Sequence, residues 1–182
     1  MENENQVREL PLLPLKNVVL FPHLLLPLTV GRAQSLAAVN AALASEEQEI
    51  ILVAQRSPQM EEPTQDDLYT IGTRAIIRRF SKGEEHMEVF CLGVERIVVI
   101  KVETGGEYPV VRFQPLPLPE DTGAEVEALQ RAVSELTTRS IQLTQNQGQV
   151  ELDRLLAGTD DPIRLVFLVA SMLSLDLPKA QA

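Results

Sequence analysis

The chain has 182 residues, 45% of them apolar and 23% charged, and its 26 acidic against 16 basic side chains give a formal net charge of −10. That balance argues against a nucleic-acid surface, which needs clustered Lys and Arg, and against docking on anionic lipid. A chain of this length can bury about 70% of its unfolded surface; with 4% aromatic residues and no Trp, the core falls to Leu, Val, Ile and Pro.

The single thiol, Cys91, excludes an internal disulfide, and its place in Val89-Phe90-Cys91-Leu92 reads as a buried, inert side chain in a reducing compartment. Met1 to Gln6 is polar and acidic and carries no basic-then-apolar leader. The longest apolar stretch, Ile163 to Leu177, is broken by Arg164 and is short for a bilayer span. A cytoplasmic protein with no membrane partner is expected.

In chain order, Leu10-Pro11-Leu12-Leu13-Pro14-Leu15 alternates apolar residues with prolines, which predicts an extended edge or entry strand. Val18 to Phe21 and Leu24 to Val30 read as two extended pieces joined at Phe21-Pro22-His23. Gly31 precedes a helix over Arg32 to Ala44, with Leu36, Val39 and Leu43 at helical spacing. Ile50 to Ala54 predicts a short buried strand, and Ser57 to Asp67 a solvated loop. Ile71 to Phe80 and Met87 to Leu92 form a hairpin signal around Ser81 to Glu85. Gly93 marks a bulge or bend before Arg96 to Val102, and Thr104 to Glu107 turns the chain into Tyr108 to Phe113. Short strands with regular turns suggest a strongly curved sheet or partly closed barrel.

Strand character ends near Pro115. Pro115, Pro117 and Pro119 stiffen a connector. Thr122 to Glu125 matches a capping box ahead of Val126, Leu129, Val133 and Leu136, with Ile141 and Leu143 continuing the face and Gly148 at its end. A short helix is expected over Val150 to Ala157, closed by Gly158. The last starts at Asp161 with Pro162 behind it and runs to about Leu175. Its Leu165 to Val169 run is apolar all round, which fits full burial or a missing partner. The organisation expected is a β-rich lobe over 7–115, a connector over 116–121 and a helical lobe over 122–177.

No motif of catalysis is present. The sequence lacks a Gly-x-x-x-x-Gly-Lys-Ser/Thr phosphate loop and a Gly-x-Ser-x-Gly elbow. His23 and His86 have no Cys or His at ligand spacing, so no metal is expected. Glu46-Glu47 and Glu84-Glu85 read as solvated turns, and the four cations of Arg74 to Lys82 as the polar face of a strand.

Leu10 to Pro22 resembles the opening of Lon N-terminal domains, and the resemblance continues through Pro27 to Arg32, Ser35, Leu52 to Gln55, Asp67 to Thr73, Gly93 to Arg96 and Asp160 to Leu165. It covers the chain from about Val7. It implies an α+β fold: a β-rich, PUA-like pseudo-barrel lobe followed by a helical lobe. It further implies a non-catalytic, substrate-recognition domain of an ATP-dependent, homohexameric AAA+ protease with a Ser–Lys dyad. The partners would be unfolded, damaged or degron-bearing proteins and the protease's own ATPase and peptidase domains. ATP and Mg would belong to the ATPase, and the chain itself would need no cofactor. Its end at Leu177 to Ala182, short of a helix leading to an ATPase, leaves nucleotide and catalytic residues no positions here. The competing expectations are a stand-alone ligand-binding or regulatory module, an RNA-binding module, which the acid excess opposes, and a hydrolase, which no constellation supports.

A moderately apolar surface discriminates by folding state, because only unfolded chains expose matching side chains. Pro22, Leu24, Leu26, Phe80 and Met87 are the candidates for it. Leu24 to Leu28 is apolar at every position, although alternate residues of a one-sided sheet face out. Met87 is a flexible apolar residue beside a charged turn. Core packing is the competing reading for each.

Overall fold

The computed structural model describes residues 7–118, 123–144, 161–173 and 175–181. They fall into two compact units, one running to Leu118 and taking in the segment from Leu175, the other spanning Pro119–Ser174. The first unit holds β1 (Arg8–Leu15), β2 (Leu25–Val30), α1 (Ala33–Ala44), β3 (Glu49–Ala54), a 3-10 turn (Gln65–Asp67), β4 (Ile71–Lys82), β5 (Met87–Glu103) and β6 (Val110–Pro115). The second holds α2 (Ala124–Thr144) and α3 (Pro162–Met172), and α4 (Leu177–Gln181) returns to the first.

The strands run in the order β2-β5-β4-β3-β1-β6, and β5 also pairs with β6. The extra pairing closes β1, β3, β4, β5 and β6 into a barrel and leaves β2 attached outside it, with β5 as its neighbour. Only β1–β3 is parallel. The fold is the α+β pseudo-barrel expected.

The proline-rich opening differs from expectation, because β1 is interior to the sheet. Arg8 to Pro11 pair with β6, and Leu12 to Leu15 pair with β3. Each half of β1 therefore keeps one unpaired flank. Leu12 donates to the Pro109 carbonyl on the β6 side (2.9 Å), and the Leu15 carbonyl accepts from Gln55 on the β3 side (2.8 Å). By the alternation of backbone groups along a strand, the nitrogens of Pro11 and Pro14 face those unpaired flanks, so neither proline removes a ladder bond.

Two apolar clusters lie on opposite faces of the curved sheet. Leu12, Ile51, Val53, Leu68, Ile97, Val99, Val111 and Phe113 fill the barrel. Leu13, Leu15, Ile50, Leu52, Ala75, Ile77, Val89 and Cys91 pack beneath α1. β3 contributes to both, and all six of its residues are buried. In α1 the buried positions are Ser35, Ala38, Val39 and Ala42, while Leu36 and Leu43 pack only partly against the cluster. Small residues let the helix sit close to the sheet; the larger leucines fill its margins.

One end of the barrel is charged. Glu49 is 5% exposed and accepts from Arg8 (2.7 Å) and from Arg74; Arg74 also donates to Glu95 (2.6 Å). Arg8 lies over the Phe113 ring, 5.9 Å from its centre. Deleting one partner of such a buried set typically costs about 3–5 kcal/mol, because the other charge is stranded.

The bend expected at Gly93 is a bulge: Arg74 pairs with Glu95 and Ala75 with Gly93, so Val94 is the extra residue. Here the irregular segment before β2 crosses β5. His23 donates to the Gly93 carbonyl (2.9 Å) and Gly93 to the Leu24 carbonyl (2.9 Å). His23 turns the chain with φ 64°, and Val18 to Phe21, expected to be extended strand, is irregular.

In the second unit, Asp161 caps α3 by accepting from Ile163 (2.9 Å) with Pro162 behind it, as its sequence predicts. Full burial of this helix is not found: Leu165 and Phe167 are buried, whereas Val166 is 54% exposed. On α2, Val126 and Val133 are half-buried but Leu129 and Leu136 are exposed. Thr122, Gly148, Val150 to Ala157 and Gly158 lie outside the described residues.

A Cβ added at Gly93 would run into the Phe21 carbonyl and lie 3.1 Å from the Pro22 Cα, both backbone. Gly93→Ala should therefore lower the unfolding free energy by about 1–3 kcal/mol, as overpacking does. Urea denaturation followed by circular dichroism measures this; an unchanged midpoint would contradict the close crossing.

Candidate functional site

The face that fills the barrel continues past its charged end. Glu49, Ile76, Leu92 and Leu25 stand opposite one another in register across β3, β4, β5 and β2. The next row is Arg79, Phe90 and Pro27. Inside the barrel this face is closed over by β6 and β1. Beyond it, β5 has exchanged β6 for β2, and the sheet opens. Leu25 is 55% exposed and Pro27 is exposed, with Ile76, Phe90 and Leu92 half-buried. The Glu49–Arg74–Glu95 set separates the dry interior from this open apolar face.

The five residues expected to form a surface do not come together. Pro22 is buried where the chain crosses Gly93, and Met87, 2% exposed, is core beneath α1. Neither offers an exposed side chain. Leu24 and Leu26 are partly buried against the same core. Phe80 alone is exposed, at 52%; it stands opposite Val89 on the α1-covered face, at its margin. The reason is phase. Alternate residues of β2 do face out, but they are Leu25, Pro27 and Thr29, and the set is one residue away from the one expected. The turn at His23 and the crossing at Gly93 set that phase. Because Leu24 to Leu28 is apolar in both phases, nothing in the run itself distinguishes them.

A cleft of about 380 Å³ lies on the far side of β1, between Leu13 to Lys16, Val18, Leu28 to Arg32 and Ser35. It has the size of a small-molecule site, but its cations hold the fold. Arg32 donates to the Pro14 carbonyl (2.6 Å), to Gln55 Oε1 (2.8 Å) and to the Glu61 carbonyl (3.1 Å). Lys16 donates to the Glu61 carboxylate (2.7 Å). Desolvation lowers the Arg32 pKa from its ordinary value, against the opposing pull of Glu61, and Lys16 holds Glu61 below the usual carboxylate range. Gln55 is fully buried and donates to the Ser57 (3.2 Å) and Met60 (2.8 Å) carbonyls, so the group ties the polar loop after β3 to the unpaired flank of β1.

Among the described residues, no three His, Cys, Asp or Glu side chains gather as metal ligands, and no helix is long and apolar enough to cross a membrane. Cys91 is buried, and desolvation pushes its pKa up to about 12.

The fold is that of Lon N-terminal domains. The N terminal domain of Mycobacterium avium complex Lon protease superposes with a TM-score of 0.76 at 21% identity, over 96% of this chain and 88% of that one. The Lon N-terminal domain protein from Xanthomonas campestris gives 0.53 at 20% identity, over 91% and 99%. The sequence carries the relationship further. Residues 9–182 match the ATP-dependent protease La (LON) substrate-binding domain, and the chain belongs to that family. It is 43% identical over 169 residues to Lon protease of Nitrosococcus oceani and 31% identical over 183 residues to that of Escherichia coli K12. These alignments cover 93% and 96% of the chain and 22% of each relative, so the chain spans about a fifth of the length of the curated relatives it matches.

The raised pKa keeps Cys91 a neutral thiol throughout the physiological range, since its thiolate forms only as pH approaches about 12. At pH near 8 the thiolate fraction is therefore far below that of a cysteine in water. Labelling with a disulfide reagent should be slower in buffer than in urea by on the order of a hundredfold or more. Comparable rates would contradict the burial.

Proposed function

We propose that this chain is the non-catalytic recognition domain of an ATP-dependent serine protease of the Lon type, acting in the cytoplasm on unfolded, damaged or degron-bearing proteins. The open face of Leu25, Pro27, Ile76, Phe90 and Leu92 supports this reading. A folded client hides its apolar side chains and gains nothing there, whereas an extended one can lay them on this face. Full burial of one large apolar side chain is worth about 1.5–3 kcal/mol, so a single contact is weak and reversible. Copies of the domain in a homohexamer would raise the effective concentration for rebinding and turn weak capture into retention. Unfolding and peptide-bond cleavage would fall to the ATPase, with its ATP and Mg, and to the Ser–Lys peptidase domain of such a protease.

Titration of the labelled chain with the unfolded and native forms of one protein tests this. The unfolded form should bind and the native form should not. Leu25→Asp should weaken binding about tenfold, about 1.4 kcal/mol, and leave the thermal midpoint nearly unchanged because Leu25 is half in water. Equal, negligible signals for both forms, or full binding by Leu25→Asp, would overturn the proposal.

A further inference from the structure

The open face is bordered by cations that the fold does not use. Arg8, Arg32, Arg56, Arg74 and Arg112 each hold a carboxylate or carbonyl. Arg78, Arg79 and Lys82, at the end of β4, are exposed, and their side chains take part in no hydrogen bond or ion pair among the described residues. Carboxylates were available to them: Glu84, Glu85 and Glu88 are exposed on the same hairpin, and Glu88 stands opposite Ser81, one step along the open face from Arg79.

A second β4–β5 irregularity places them. Ile77 pairs with Cys91 and Arg79 with Phe90, which makes Arg78 the inserted residue. A bulge sets two residues of one strand against one of its partner, so Arg78 and Arg79 both fall against Phe90, whose other neighbour is Pro27. Two arginines thus stand beside Phe90 in the β4–β5 register, and both are exposed.

We infer that the open face selects extended segments in which an apolar side chain is flanked by carboxylates, the apolar group lying on Leu25, Phe90 and Pro27 and the carboxylates reaching Arg78 and Arg79. This rests on the capture reading above and adds a sequence preference to it. Guanidinium suits the task because its planar fork meets a carboxylate with two parallel hydrogen bonds. The net charge of −10 does not forbid an acidic segment. At physiological ionic strength charges separated by more than about 8 Å are largely screened, so the nearest cations decide. A nucleic acid would also seek arginines beside an aromatic ring. It is disfavoured because binding a phosphate backbone draws on many clustered Lys and Arg, and here only three such cations border the face among the described residues.

The test uses three short fluorescent peptides with one central Phe-Leu pair, flanked by Asp, by Asn or by Lys, titrated with the 182-residue chain. The Asp peptide should bind about tenfold more tightly than the Asn peptide, and the Lys peptide more weakly than both. In Arg78→Gln/Arg79→Gln the Asp peptide should fall to the affinity of the Asn peptide, which itself should not change. Arg78→Lys/Arg79→Lys should retain part of the preference, and circular dichroism should show both variants folded. Equal affinities for the Asp and Asn peptides, while unfolded protein still binds, would overturn the preference and leave capture standing. No binding of any peptide or of unfolded protein would overturn both. Displacement of the Asp peptide by a single-stranded oligothymidylate at equal concentration would overturn the peptide assignment in favour of nucleic acid.

Discussion

The architecture depends on one strand changing partners. β5 runs 17 residues without a break, longer than the barrel needs. Its second half closes the barrel against β6, and its first half carries β2, while β4 follows it from Met87 to Val98. A strand this long curves only if extra residues are inserted. Register shifts at Val94, Arg78 and Ile100 supply them within the β4–β5–β6 ladder. Because the backbone stays continuous, the face that is core at Ile97 and Val99 is carried outward to Leu92 and Phe90, where none of the described strands covers it. The apolar annex follows from a closed barrel sharing a strand with an open sheet.

What keeps the two regions apart is charge. Glu49, held by Arg8 and Arg74, and Glu95 on the far side of Arg74, lie on this one sheet face between the barrel filling and the open row. Buried ion sets are poor sources of net stability, and their best-attested value is in fixing one arrangement over others. Here that arrangement is a barrel end that stays shut while apolar side chains lie exposed one row away. The Arg32 group does comparable work on the far flank, where its guanidinium satisfies the Pro14 carbonyl left free as β1 passes from β6 to β3.

Much of this was legible in the sequence, and the failures have physical causes. Turn residues and periodicity located α1, β3, the β4–β5 hairpin, the bulge beside Gly93 and the Asp161–Pro162 helix start, because each is specified locally. The placement of β1 was not local. Prolines mark a strand with an unpaired flank, and only the topology shows that both flanks of one strand are half-used. An apolar surface was expected on a residue set that the folded chain does not bring together. In Leu24 to Leu28 every side chain is apolar, so the pattern is silent about phase, and phase was decided by a positive φ at His23 and a crossing at Gly93. Met87 looked adaptable and exposed because it follows a charged turn, yet it is buried, as is Pro22; only tertiary packing separates such residues from Phe80. The arginines of β4 read as an ordinary polar face until pairing showed that Arg78 and Arg79 stand beside Phe90, their side chains without a partner among the described residues.

The central claim is that unfolded chains are captured on the open face rather than in the cleft around Arg32. Mapping backbone amide shifts while an unfolded polypeptide is added tests it most directly. Changes centred on Leu25, Ile76, Phe90 and Leu92 are expected, with Lys16, Val18 and Arg32 unmoved. Changes centred on those three residues, or binding with no change along β2 and the first half of β5, would contradict it.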